Sequence, residues 1–267
     1  MILLKKIFLL ISLFSFLSVF SQKDSIVNYY NRKKVKVVDK TKAYTFEILT
    51  KKNDSLWLSR TFRRNGTIKH YQHYNSSIKE IKVGESIVYG INGKVIELIN
   101  HNKKGLRHGK YKSWFNNGNL NTEGSFYNGK REGLFKIYHI NKVLAGKGIF
   151  KQDTLAREIY YNNKGKVTPI EEVVCKQKPS FKGGKKAYHK KLKSLIKKTN
   201  YKVKGDIYVT YVINSKGKIS EVFIDEKIPL KLHNHIVDFF KSLKGWSPYI
   251  NRNRTIPYYF TQKLTFK

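Results

Sequence analysis

The sequence predicts a mainly β chain with a smaller α+β part: an elongated antiparallel sheet of repeated β-hairpins, followed by two helices on a three-stranded sheet. Three observations predict it. All five prolines (Pro169, Pro179, Pro229, Pro248, Pro257) lie near the C-terminal end, so residues 22–168 contain none, as uninterrupted strands joined by tight turns require. Within that stretch Asn-Gly dipeptides recur at a nearly constant interval. Beyond residue 178 the apolar spacing changes from alternation to a helical stripe and back, which marks a second unit.

The 267 residues, 40% hydrophobic and 14% aromatic, are enough to bury cores,. Lys and Arg number 54 against 18 Asp and Glu, a formal charge of +36, which calls for an anionic neighbour or for many solvated lysine faces. Nucleic acid is not the expected partner, because the basic residues are spread along the whole chain and the N-terminus carries an export signal. Lys5 and Lys6 precede the apolar run 7–20, and Val19 and Ser21 stand at −3 and −1 of a cleavage point before Gln22,. Residues 1–21 are therefore expected to be a signal peptide and the chain to be periplasmic or otherwise in the cell envelope; an uncleaved inner-membrane anchor is the alternative. Cys175 is alone, so no intramolecular disulfide supports the fold.

In residues 22–168 the turns Asn65-Gly66, Asn92-Gly93 and Asn117-Gly118 are 27 and 25 residues apart, each preceded by an aromatic: Phe62, Tyr89, and the pair Trp114 and Phe115. Weaker copies follow at Asn141-Lys142 and Asn163-Lys164-Gly165. Asn-Gly suits a two-residue hairpin turn in which both residues take positive φ. Gly109 and Gly133 open equivalent strands 24 residues apart. Each unit is then one hairpin, and stacked hairpins bury each other's aromatic faces. The segments HGKYKSWFNNGNL and EGLFKIYHINK resemble bacterial MORN-like repeats, a resemblance that covers about residues 62–166 and implies an elongated β-sheet used for protein or lipid contact.

Residues 169–178 are expected to be a polar linker. After it, Tyr188, Leu192, Leu195 and Ile196 share a helical face, residues 205–224 form a hairpin about Ser215-Lys216-Gly217-Lys218, and Leu232, Ile236, Phe239, Phe240 and Leu243 form a second amphipathic helix,. A final strand places Ile256, Tyr258, Phe260, Leu264 and Phe266 on one face, with Trp246 in the core,. The PSFKGG entry, the GDIYVTYVINSKGKISEVFI hairpin and the GWSPYINRNRTIPYYFTQKLTF ending resemble the C-terminal domain of TonB, as found in envelope proteins of Bacteroidetes-like bacteria. The resemblance covers residues 179–267. It implies a domain that takes up a short segment of an outer-membrane TonB-dependent transporter as an added β-strand. The membrane helix and Pro-rich spacer of a full transducer are not evident, which puts energy transduction in doubt.

The candidate partner-binding residues follow from that implication and from the strand itself. An exposed edge over 254–263 would accept an extended peptide by β-augmentation, Pro257 favouring an edge position. Tyr259, Thr261 and Lys263 would face away from the core, and Arg252 and Arg254 would attract an acidic segment,. The alternative is a scaffold that binds anionic lipid or lipopolysaccharide through the basic hairpin surface. No enzyme is expected, and no cofactor or metal. GSFYNGKR copies phosphate-loop spacing but lacks the following Ser or Thr and the helix,. His70 with His73, and His233 with His235, are pairs whose spacing turns the two rings apart. No nucleophile elbow occurs.

Overall fold

The computed structural model of the chain describes residues 25–198 and 203–266. The expected signal peptide lies outside the described residues. Mostly antiparallel β in character, the fold has the expected two parts.

The first is a 13-stranded sheet built almost wholly as a meander. Its strands are β1 (Ser25–Tyr30), β2 (Lys36–Val37), β3 (Thr45–Asn53), β4 (Leu56–Arg63), β5 (Ile68–Tyr74), β6 (Lys82–Tyr89) and β7 (Val95–His101). They continue as β8 (Arg107–Trp114), β9 (Leu120–Tyr127), β10 (Lys130–Tyr138), β11 (Leu144–Lys151), β12 (Thr154–Tyr161) and β13 (Val167–Thr168). Each strand from β3 to β12 pairs with its successor. Only at the start does the order change, β1 lying between β3 and β2.

The Asn-Gly turns differ from the expected two-residue form. In the first, Gly66 N–H donates to Arg63 C=O at 2.9 Å and Arg63 N–H to Thr67 C=O at 2.8 Å, while only Gly66, at φ 83°, has positive φ. This is a three-residue loop, a type I turn closed by a left-handed residue. Asn65 stays at negative φ because its Oδ1 accepts Thr67 N–H at 3.0 Å, an Asx turn that needs no inversion of the backbone. The same pair of backbone bonds closes residues 90–94, 115–119, 139–143 and 162–166, with Lys142 taking the left-handed position in the fourth. Two-residue turns with both residues at positive φ do occur, at Asn128-Gly129 and Gln152-Asp153. The first of these is the phosphate-loop look-alike, which forms the β9–β10 hairpin.

Successive turns are also tied to one another. Asn92 Nδ2 donates to Asn116 C=O at 3.3 Å, Asn119 Nδ2 to Ile140 C=O at 2.8 Å and Asn141 Nδ2 to Asn163 C=O at 3.0 Å. Inside the strands Gly109 and Gly133 have φ of 83° and 74°, and the ladders slip beside them; they are bulge residues, which bend a sheet locally.

Aromatics other than those that precede the turns stack along one face of β8 to β11. Tyr111 meets Phe126 at 5.5 Å, Phe126 meets Phe135 at 5.6 Å, and Phe135 meets Phe150 at 5.4 Å between ring centres, all three edge to face. Phe135 occupies the space over Gly124, where an added Cβ would come within 2.5 Å of its ring.

The second part contains helix α1 (Gly184–Lys198), the hairpin β15 (Gly205–Ile213) and β16 (Ile219–Ile224), helix α2 (Leu230–Ser242) and β19 (Tyr258–Phe266), with sheet order β16-β15-β19. Alternation along β15 drives Ile207, Val209, Tyr211 and Ile213 into one core with Tyr188, Leu192 and Leu195 of α1, Leu232, Ile236 and Phe240 of α2, and Leu264 and Phe266 of β19. Burial of side chains of this kind contributes roughly 1.5–3 kcal/mol each. Trp246 packs against it, 5.2 Å from the rings of Phe181, Tyr188 and Phe260.

Two expectations need correction here. The linker is not free: its β14 (Lys176–Gln177) joins β17 (Tyr249–Asn251) and β18 (Arg254–Ile256) in a separate small sheet of order β14-β17-β18. The final strand is not continuous either, since Pro257 lies between β18 and β19 and breaks the run, having no N–H for a ladder,. Ile256 consequently pairs with Tyr249 and does not share the core face of β19.

Gly124→Ala is expected to lower stability by about 1–3 kcal/mol, since the ring of Phe135 is itself packed between Phe126 and Phe150 and has little room to yield; equilibrium denaturation in urea measures it.

Candidate functional site

The ladder of β19 with β15 is complete over nine positions, from Tyr258 opposite Ile213 to Phe266 opposite Gly205. Its other edge carries no described strand. Tyr259, Thr261 and Lys263 lie on the exposed face of β19 while Leu264 and Phe266 are buried beneath it, as strand alternation demands. These three side chains already have intramolecular neighbours. Thr261 Oγ1 is 3.0 Å from Thr210 Oγ1, and Lys263 Nζ donates to Asp206 at 2.8 Å. Partial burial raises the pKa of the Tyr259 phenol, with Asn116 and Arg63 of the hairpin array acting on it in the opposite sense.

The two arginines are not beside that edge. Arg252 and Asn253 form the two-residue turn between β17 and β18, at φ 51° and 58°, and their N–H groups bond Cys175 C=O at 3.0 Å and Val174 C=O at 3.1 Å. Arg254 is only 5% exposed. Its Nη1 donates to Asn121 Oδ1 at 2.6 Å, Asn121 C=O at 3.3 Å and Tyr138 C=O at 3.2 Å. It is thus a bolt between the second part and the hairpin array, and the expectation that it attracts an acidic peptide is corrected. The cause is Pro257, which ends the strand early and turns Arg254 into a different sheet. Burial, and next the charge of Arg252, hold the Arg254 guanidinium down to about 10.

A second joint holds the other end of the interface. The Arg32 guanidinium lies 4.0 Å from the ring centre of Tyr44 and 3.9 Å from that of Tyr208, and it bonds Glu226 with Asp225 3.6 Å away. Stacked and ion-paired at once, it uses the planar geometry that lysine lacks.

The hairpin array has its own polar feature, which alternation did not announce. Glu47 on β3 is 2% exposed. It accepts hydrogen bonds from Asn28 at 3.3 Å, Tyr30 at 3.0 Å, Ser59, and Lys79 at 2.9 Å, so one carboxylate ties β1, β3 and β4 to the β5–β6 connection. Burial pushes its pKa up, but the bonds from Ser59, Lys79 and Tyr30 outweigh it and hold the carboxyl below its ordinary 4.5. Thr45, Ser59 and Gln72 are also buried on this face, the floor of a cavity of about 380 Å³. A run of lone polar residues in strands carries no period of its own, so it passes for solvent-facing alternation.

Among the described residues no three His, Cys, Asp or Glu side chains cluster as a metal site would need, and no described helix is long and apolar enough to cross a membrane. Cys175 is free and exposed. No family model matches the chain, and no curated protein matches it significantly.

Arg254→Ala is expected to cost on the order of 2 kcal/mol by leaving the Asn121 and Tyr138 acceptors without their donor, and to expose the joint to hydrogen exchange. Glu47→Gln should destabilise at pH 7 by on the order of 1–3 kcal/mol. Since the folded carboxyl titrates below 4.5, its contribution is present above that value and fades as the pH falls through the folded pKa. The difference between the two proteins should therefore shrink in acid denaturation curves.

Proposed function

We propose that the chain is a non-enzymatic, exported binding protein of the cell envelope whose β19 edge takes up an extended segment of an envelope protein, an outer-membrane TonB-dependent transporter being the partner that the resemblance implies. The observation that carries this reading is the nine-residue edge of β19, paired through its full length on one side and free of any described strand on the other. Main-chain bonds would supply the affinity of such an added strand, and alternate side chains its selectivity. With Arg254 buried and Arg252 in a turn, selection falls to Tyr259, Thr261 and Lys263, and an acidic segment has no special claim. MORN-like contact with a surface fits the same architecture: the array would present a face while the second part docks.

A second reading, in which the array binds anionic lipid or lipopolysaccharide, is favoured by cations that gather on its polar face. Lys34, Lys69, Lys82 and Arg107 all line the cavity there.

A photo-crosslinking residue in place of Thr261 tests the docking edge in the cell. The expected product is an adduct with an outer-membrane β-barrel protein that is not formed from the same residue placed at Lys151, an exposed position on β11. Equal labelling from both positions would count against the docking edge.

A further inference from the structure

We infer that the cavity on the polar face of β3 to β8 is a binding site for a phosphorylated or carboxylated sugar, with the hydroxyls held on its floor and the anion held by the lysines and arginine of its wall. The inference rests on the second reading above and gives it a defined site; it is independent of the β19 edge.

The floor is built for a polyol. Thr45, Ser59 and Gln72 present hydroxyl and amide groups from adjacent strands, and all three are at least nine-tenths buried. Register places Ser59 and Gln72 side by side, Ser59 opposite Gln72 and Gln72 opposite Ser86, while Thr45 lies farther along β3 on the same face, opposite Arg63. Ser59 Oγ already donates to Glu47 and Gln72 Nε2 to His73 C=O at 2.7 Å, so what the floor offers a ring of hydroxyls is mainly acceptors.

The wall is built for an anion. Five lining side chains are Lys or Arg and two are Glu. Lys79 is committed to Glu47, and Glu97 receives the Tyr111 hydroxyl at 3.4 Å. Lys34, Lys69, Lys82 and Arg107 have no carboxylate within 4.0 Å among the described residues. Their mutual repulsion is felt inside the cavity. Crowding by the walls, then Lys69, Arg63, Lys82 and Lys34, hold the His70 imidazole down to about 4 although its ring is open to the cavity. Burial and the neighbouring Arg63 and Lys34 likewise lower the pKa of Lys69. Like charges gathered over a concave polar surface focus a positive potential that a bound anion relieves, and charge-assisted bonds to it are stronger than neutral ones. The volume of about 380 Å³ falls within the range of small-molecule sites and suits one or two sugar rings.

The anion can come free or as the head of a lipid, and the test separates these. Titration calorimetry of the full chain uses glucose 6-phosphate, inorganic phosphate and glucose; sedimentation uses vesicles containing lipid A, whose head is a phosphorylated disaccharide. Glucose 6-phosphate is expected to bind saturably and more tightly than phosphate, and glucose not at all. The double substitution Lys69→Gln and Lys82→Gln should weaken binding about tenfold or more, for roughly 1.4 kcal/mol is lost per tenfold, while Lys151→Gln leaves it unchanged. Vesicle capture that glucose 6-phosphate displaces assigns the anion to a membrane headgroup, and sugar-phosphate binding without vesicle capture assigns it to a soluble ligand. Both support the site. Capture that glucose 6-phosphate fails to displace overturns the cavity while leaving the anionic-surface reading in place. Absence of binding, equal affinity for phosphate and sugar phosphate, or indifference to the double substitution overturns it outright.

Discussion

The structure depends on one constraint: thirteen strands laid side by side must keep register, because a slip of one residue turns every side chain of a strand to the opposite face. The turns impose it. Each three-residue loop returns the chain with one residue in the left-handed region, and an Asn side chain of the turn fixes it from within. Asn side chains then bond the backbone of the next turn on the same end of the array. A hairpin alone is marginal in water, but a hairpin whose turn is tied to its neighbours and whose aromatics meet the next strand at 5.4–5.6 Å cannot shift without breaking both. Thus the repeat supplies order in one dimension, and each unit is stable only because another lies beside it.

What joins the array to the second part is of a different kind. Two of the joints are cationic: Arg254 among neutral acceptors, and Arg32 between two tyrosines and two carboxylates. A buried guanidinium costs desolvation and is tolerated only where donors meet acceptors in a fixed geometry. Such joints give little affinity per unit area but a defined orientation. They hold the second part along the end of the array that bears the Asn turns, since Asn121 follows the 115–119 turn and Tyr138 precedes the next. Glu47 plays the same part inside the array, where one carboxylate with four donors orders the first strands.

Patterns repeated in sequence were legible, and features made by single residues meeting across long separations were not. The hairpin array, both helices with their buried stripes, and the exposed positions of Tyr259, Thr261 and Lys263 all follow from alternation, helical spacing and turn chemistry. Turn type is only partly legible because Asn-Gly serves two loop lengths, and the bond that Thr67 N–H donates to Asn65 Oδ1 decides between them. Arg252 and Arg254 lie away from the expected edge because Pro257 ends one strand and starts another, which a proline in sequence does not distinguish from an edge position,. The Gln177 to Ile250 pairing and the Arg254 to Asn121 bond, each between residues far apart in the chain, leave no periodic trace. Glu47 gave no signal either, for a lone carboxylate in a strand looks solvated until Asn28, Ser59 and Lys79 are folded around it.

Edges bring these points together. An open sheet must protect its unpaired borders or it will add other chains. The array does so only in part, for its end strands β2 and β13 have two residues each and β13 covers just Tyr160 and Tyr161 of β12, leaving residues 154–159 without a described strand on that side; the small β14-β17-β18 sheet has borders of two and three residues. In the remaining sheet β16 has six residues and β19 nine. Of the described strands at a sheet border, β19 offers the longest ladder, and neither a bulge nor an internal proline blunts it: Pro257 lies before its first residue and its pairing with β15 runs without a register shift. Ladder length is what main-chain recognition needs, because each added residue pair contributes little by itself. Nine continuous positions on β19, against six on β16 and on the uncovered part of β12, are the physical argument for strand addition at β19, whatever chemistry the cavity on the array serves.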